Sequence, residues 1–129
     1  MTTCKPHILL IEDEHRLAQC LALVLRDIGY EVTIAADGWS GIQALTLRSF
    51  DLVLLDWHLP RCSGLEVCRW LQQRPIAPPI VVVTAYSGPE RVEAAQQAGA
   101  NGYLVKPFNT DELMDLVCRL LPENCLSLA

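Results

Sequence analysis

No apolar stretch in this sequence approaches the roughly 20 residues that a bilayer-spanning helix requires, so a membrane location is not expected. The opening residues, MTTCKPHILLIEDE, lack the layout of an export signal: their apolar stretch is too short and acids follow at once. Basic residues are scarce as well. Ten Lys and Arg face fifteen Asp and Glu, for a net charge of −5 and a pI near 5.0. That balance argues against direct binding to a nucleic-acid backbone. No C-x-x-C pair occurs among Cys4, Cys20, Cys62, Cys68, Cys118 and Cys125. They read as reduced thiols of a cytoplasmic protein, with spacings that do not suit zinc. Cys20, Cys68 and Cys118 fall among helical apolar positions, where a free thiol behaves as a small hydrophobe. No repeat, linker or low-complexity segment divides the chain.

What is present is apolar content of 51% in 129 residues, enough for one domain with a real core. The expected division is a single domain over residues 1–122 and a short, loose tail over 123–129. The chain is organised around DLVLLDWHLP, Asp51–Pro60. A short apolar run between breakers predicts a strand over Asp51–Leu55 buried on both faces, as in a parallel sheet. Similar runs predict strands at His7–Ile11, Glu31–Ala35, Ile80–Thr84 and Gly102–Val105.

Between them the apolar spacing changes to three and four. Leu17, Cys20, Leu21, Val24, Leu25 and Ile28 predict a first helix from Glu14, closed by Gly29. A second runs from Asp37-Gly38 to about Leu47, with Ile42, Leu45 and Trp39 as its inward positions. A third runs from Leu65 to about Gln73 and buries Leu65, Cys68 and Leu71. Ser87-Gly-Pro-Glu90 fits a capping box that opens a fourth helix, ended by Gly99. Asn109–Glu112 caps the last, which carries Leu113, Leu116, Val117, Leu120 and Leu121. Strand and helix thus alternate five times, which predicts an α/β parallel sheet covered on both faces.

In such a sheet the carboxyl ends of the strands form the ligand edge. They would deliver Glu12 and Asp13, then Asp56, Thr84 and Lys106. An acid at a strand end also serves simply to cap a turn or a helix, but three adjacent carboxylates exceed what a cap needs. Carboxylates this close repel by roughly 4 kcal/mol per pair at an intermediate dielectric. Either one is protonated or a cation joins them. Oxygen donors with room for water suit Mg²⁺. Lys106 supplies a point charge for a phosphate or for Asp56, and Thr84 a hydroxyl donor. His7 and His15 read as surface groups, and Trp39 and Trp70 as packing.

With these residues in place, the sequence resembles the receiver domain of two-component response regulators. The matching stretches are Ile11-Glu12-Asp13-Glu14, Leu54-Leu55-Asp56 with Leu59-Pro60 and Gly64, Thr84-Ala85, and Tyr103-Leu-Val-Lys106-Pro107-Phe108. They span about Pro6 to Leu121. The resemblance implies a doubly wound, flavodoxin-like (βα)5 fold with strand order 2-1-3-4-5. It implies Asp56 as phosphoryl acceptor, and Glu12, Asp13, Asp56 and the main-chain carbonyl of His58 as ligands of Mg²⁺, with Mn²⁺ as a substitute. Thr84 and Tyr103 resemble the switch hydroxyl and switch aromatic. Lys106 resembles the phosphate-pairing lysine, with a cis peptide expected before Pro107. His58 and Tyr86 stand at the positions that tune dephosphorylation. Glu12 and Leu59 depart from the commoner Asp and Met, and Glu12 could reach the metal through water.

The resemblance also implies a histidine kinase or histidine phosphotransfer protein as donor, and a downstream protein or attached output domain as target. Self-phosphorylation and dephosphorylation are expected, without turnover of an external substrate. The acids and arginines of a charged dimer ladder are missing: Asn101, Gly102, Leu116 and Cys118 occupy those places, so a monomer or weak dimer is expected. A flavin- or nucleotide-binding module would want a Gly- or Ser/Thr-rich loop after the first strand, where this chain has acids. A phosphohydrolase with an aspartyl nucleophile would usually place a second acid just after it, where Trp57 and His58 stand. The sequence leaves open a stand-alone regulator and a receiver from a longer protein.

Overall fold

The computed structural model describes residues 5–85 and 88–121. Five strands and five helices alternate: β1 (His7–Ile11), α1 (His15–Ile28), β2 (Glu31–Ala35), α2 (Gly38–Leu47), β3 (Leu52–Asp56), α3 (Gly64–Gln72), β4 (Ile80–Thr84), α4 (Pro89–Gln97), β5 (Gly102–Val105) and α5 (Thr110–Leu120). The strands form one parallel sheet in the order β2-β1-β3-β4-β5. This is the flavodoxin-like doubly wound arrangement, in which ligands gather at the carboxyl edge.

The strand composition follows from burial. Every residue of β3 and β4 is buried, which explains runs of Leu and Val with no polar alternation. Alternate residues serve opposite faces. Ile8, Leu10, Leu52 and Leu54 pack with α1 and α5. Leu9, Ile11, Val53 and Leu55 pack with Val67, Cys68 and Leu71 of α3 and Ala95 of α4. The edge strand β2 is more open, with Glu31 and Ile34 exposed.

Several expectations shift. The central strand runs one residue later than expected, so Asp56 is its last residue. α1 buries Ala18, Leu21, Ala22 and Leu25, while Cys20 is exposed; at helical spacing position 20 falls on the side away from that stripe. Trp39 is 50% exposed. Ile42 and Leu45 pack against the core as expected, and the fully buried positions of α2 are Gly38 and Gly41, where a Cβ would strike the main chain of Cys62 and the side chain of Ile11. α3 starts one residue early because Ser63 and Glu66 form a reciprocal capping box, and Leu65 is only half-buried beside the buried Val67. α4 begins at Pro89 with Gly88 as its N-cap, and Ser87 of the expected capping box lies outside the described residues. α5 carries its capping box as expected, with Asn109 accepting from Glu112 N–H at 2.8 Å and Glu112 accepting from Asn109 N–H at 3.1 Å.

His7 is not a simple surface group. Its ring meets Phe50 edge-on with centroids 4.8 Å apart, and its Nε2 lies 2.7 Å from Thr33 Oγ1. Burial, then the Arg48 charge, pushes its pKa below the ordinary value. His15 is exposed, its Nε2 3.1 Å from Gln19 Nε2.

Candidate functional site

The parallel register brings β1, β3, β4 and β5 to a common end. Ile11 pairs with Leu55, Asp56 with Val83, and Thr84 with Val105. Each strand therefore releases its next residue into one shallow space at the top of the sheet. Glu12 and Asp13 follow β1, Asp56 and Thr84 are the last residues of β3 and β4, and Lys106 follows β5. One carboxylate oxygen from each of Glu12, Asp13 and Asp56 lies within 4.8 Å of the others. Glu12 and Asp56 are buried and Asp13 is exposed.

Lys106 sits between the two buried acids. Its Nζ is 3.2 Å from Glu12 Oε1 and 3.3 Å from Asp56 Oδ2. The second oxygens are held as well. Asp56 Oδ1 accepts from His58 N–H at 3.1 Å, and Glu12 Oε2 accepts from Glu14 N–H at 3.1 Å. Lys106 N–H donates to the main-chain carbonyl of Thr84 at 2.7 Å, so the lysine is positioned by β4 as well as β5. The Lys106–Pro107 peptide is cis.

Burial pushes the Glu12 carboxyl up to about 7. The Glu14 amide draws it down, the Asp56 charge adds to the rise, and Lys106 opposes it. Burial works against the Lys106 charge too, but Asp56 and Glu12 outweigh it and hold its pKa above the ordinary value. Three carboxylates face one ammonium here, so the cluster carries more negative charge than Lys106 balances. The donors are hard oxygens, one of them open to solvent. That combination fits a divalent cation of the Mg²⁺ type, which keeps part of its water shell.

The remaining expected residues sit around this cluster. Thr84 is almost wholly buried. Tyr103, on β5, is half-buried and packs on the α2–α4 face of the sheet. Burial raises its phenol pKa, opposed by the Arg91 charge. His58 is exposed at the rim, on the turn that follows Asp56. Tyr86 lies outside the described residues. Sequence reasoning missed the second contact of Lys106, to Glu12, and the cap that anchors the loop after Asp56. The latter had a visible signal in Ser63-Gly-Leu-Glu66, the S-x-x-E pattern of a capping box.

A buried aspartate, two further acids and a shared lysine thus gather at the ligand edge of a 2-1-3-4-5 sheet, the arrangement expected of a receiver domain. Residues 8–118 match the family model described as the response regulator receiver domain, and the chain belongs to that family. The function of that family is a phosphorylation-activated signalling switch. The response regulator ArlR of Staphylococcus saprophyticus is 39% identical over 114 residues, 88% of this chain and 51% of that protein. The chain thus spans about half the length of the curated relatives it matches. Among solved structures, CheY4 of Vibrio cholerae, a chemotaxis response regulator, superposes with a TM-score of 0.86 at 29% identity, over 91% of this chain and 99% of that one. The receiver domain of a sensor histidine kinase from Pseudomonas aeruginosa PAO1 superposes with a TM-score of 0.84 at 31% identity, over 92% and 99%. It is described with a magnesium ion coordinated in its active site cleft. Among the described residues, no helix is long and apolar enough to cross a membrane.

Proposed function

We propose that Asp56 takes a phosphoryl group from a phosphohistidine of a partner kinase or phosphotransfer protein. The observation that carries this reading is the buried Asp56 carboxylate with Lys106 Nζ 3.3 Å away. An Asp56 oxygen attacks phosphorus, the phosphorus–nitrogen bond breaks, and the imidazole leaves with that electron pair, giving an aspartyl phosphate. Glu12, Asp13, Asp56 and the His58 carbonyl would hold Mg²⁺, or Mn²⁺ in its place. When bound, the ion supplies charge that offsets the phosphoryl oxygens. Lys106 passes from the carboxylates to a phosphoryl oxygen, and the Thr84 hydroxyl donates to another. The product carries about −1.5 to −2 charges. Thr84 and Tyr103 follow the new group and change the face made by α4, β5 and α5. His58 and Tyr86 screen the acyl phosphate from in-line water.

In this reading residues 1–122 form the receiver and 123–129 a short tail. The protein works in the cytoplasm as a monomer or weak dimer. It controls a protein partner or an output domain, as the greater length of its relatives suggests.

The test is uptake from acetyl phosphate followed by intact mass. One phosphoryl group per chain is expected, dependent on Mg²⁺ and absent in Asp56→Asn. Equal labelling of that variant at the same position would sink the reading. In the same experiment, faster loss from both His58→Asn and Tyr86→Ala is the result that screening requires.

A further inference from the structure

The pole opposite the acid cluster carries a groove of about 640 Å³ between the C-terminal ends of α2 and α3. Two side chains on its lips stand far out of the protein: Leu47 is 83% exposed and Ile76 is 89% exposed. Two arginines, Arg48 and Arg74, line the same groove. Arg48 sits 5.9 Å from the Phe50 centroid and Arg74 3.8 Å from that of Trp70. Neither pairs with a carboxylate among the described residues. The acid that lines the groove, Asp51, accepts from His7 N–H at 2.7 Å. A chain of net charge −5 thus keeps a cationic and apolar surface at this pole.

We propose that this groove docks an acidic, leucine-rich segment of a partner protein. The inference uses none of the phosphoryl site and stands apart from the switch reading. Large exposed apolar side chains are solvated at a cost that a partner's Leu side chains would remove. Stacking on Trp70 fixes the Arg74 guanidinium by its face and leaves its in-plane N–H groups for a carboxylate, in two-pronged geometry. Trp and Arg are the side chains on which binding energy most often concentrates. Pro75, Pro78 and Pro79 restrict the far wall, so less freedom is lost on docking. The charge pattern selects acids over bases, and the net charge disfavours nucleic acid. Lip residues this exposed suit a polypeptide laid across the groove better than a small anion enclosed in it.

The test uses the full chain and a fluorescein-labelled helical peptide of about 15 residues with Leu on one face and Glu flanking it. Anisotropy should show saturable binding, and amide shifts should cluster at residues 47–51 and 70–77. Arg48→Glu with Arg74→Glu should weaken it by about tenfold or more, while an unchanged circular dichroism spectrum and cooperative melting show that the variant folds. A Lys-for-Glu peptide should not bind. Equal binding by the double variant would overturn the proposal. So would shifts at the groove with decanoate but not with the peptide. Self-association abolished by the double variant, with no peptide binding, would assign the groove to a second copy and overturn it too.

Discussion

Glu12 holds its proton more firmly in the folded chain than an exposed glutamate does. Its pKa rises from 4.5 to about 7, first because of burial. The folded state therefore binds a proton that the unfolded state has released across that window. For an acid raised in this way, the stabilising contribution is complete below pH 4.5 and lost as pH climbs through about 7. We expect Glu12→Gln, which cannot ionise, to flatten the fall in stability between those pH values. Urea unfolding in the presence of a chelator at a series of pH values measures it. An unchanged slope would show that Glu12 is not the group responsible. Only part of this was legible in the chain's pattern. Three consecutive acids after an apolar run were legible as a cluster, but burial of Glu12 beside exposed Asp13 depends on how the chain leaves β1. His7 shows the same limit. One histidine at a strand start carries no periodic signal, and its contacts with Thr33 and Phe50 join residues far apart in the chain.

At the level of elements, the loop after Asp56 is braced from two sides. Ser63 and Glu66 cap α3, and the start of α2 presses on the main chain of Cys62. Arg61 between them has a positive φ of 69°, a conformation that costs a non-glycine residue about 1 kcal/mol or more. Its guanidinium reaches Asp37, the N-cap of α2, at 3.9 Å. Gly38 is what permits the approach, since a Cβ there would fall on the Cys62 carbonyl oxygen. Gly38→Ala should therefore destabilise the fold by about 1–3 kcal/mol, because main chain must move where a side chain could not yield. Thermal melting gives the number, and a loss under about 0.5 kcal/mol would show that the loop is free to shift. Elements with strong periods, such as α1 and α5, were legible in the sequence. α2 was legible too, over Gly38–Leu47 with Ile42 and Leu45 inward, but the close approach at Gly38 and Gly41 was not, since a glycine carries no apolar signal. A reading that seeks large apolar residues assigns Trp39 to that face, whereas the packing rejects it.

For the whole molecule, the acid cluster stands at the carboxyl edge and the groove with Arg48 and Arg74 at the other. Filling the carboxyl edge should stabilise the entire fold, since the ligands come from β1 and β3 together. We expect Mg²⁺ at a hundredfold excess over its dissociation constant to add about 2.7 kcal/mol, and Asp13→Ala to remove the gain. A melting temperature indifferent to Mg²⁺ in the unaltered protein would count against the site. The contact of Lys106 with both Glu12 and Asp56 then decides which ions compete. An ammonium already occupies the space between the acids. Sodium or potassium that displaced the ammonium would only exchange one unit charge for another, whereas a doubly charged ion brings a surplus. The tethered lysine thus acts as a resident competitor, setting a charge threshold below which the abundant salts of a cell go unnoticed. Potassium matched to Mg²⁺ in ionic strength should leave the melting temperature where it was.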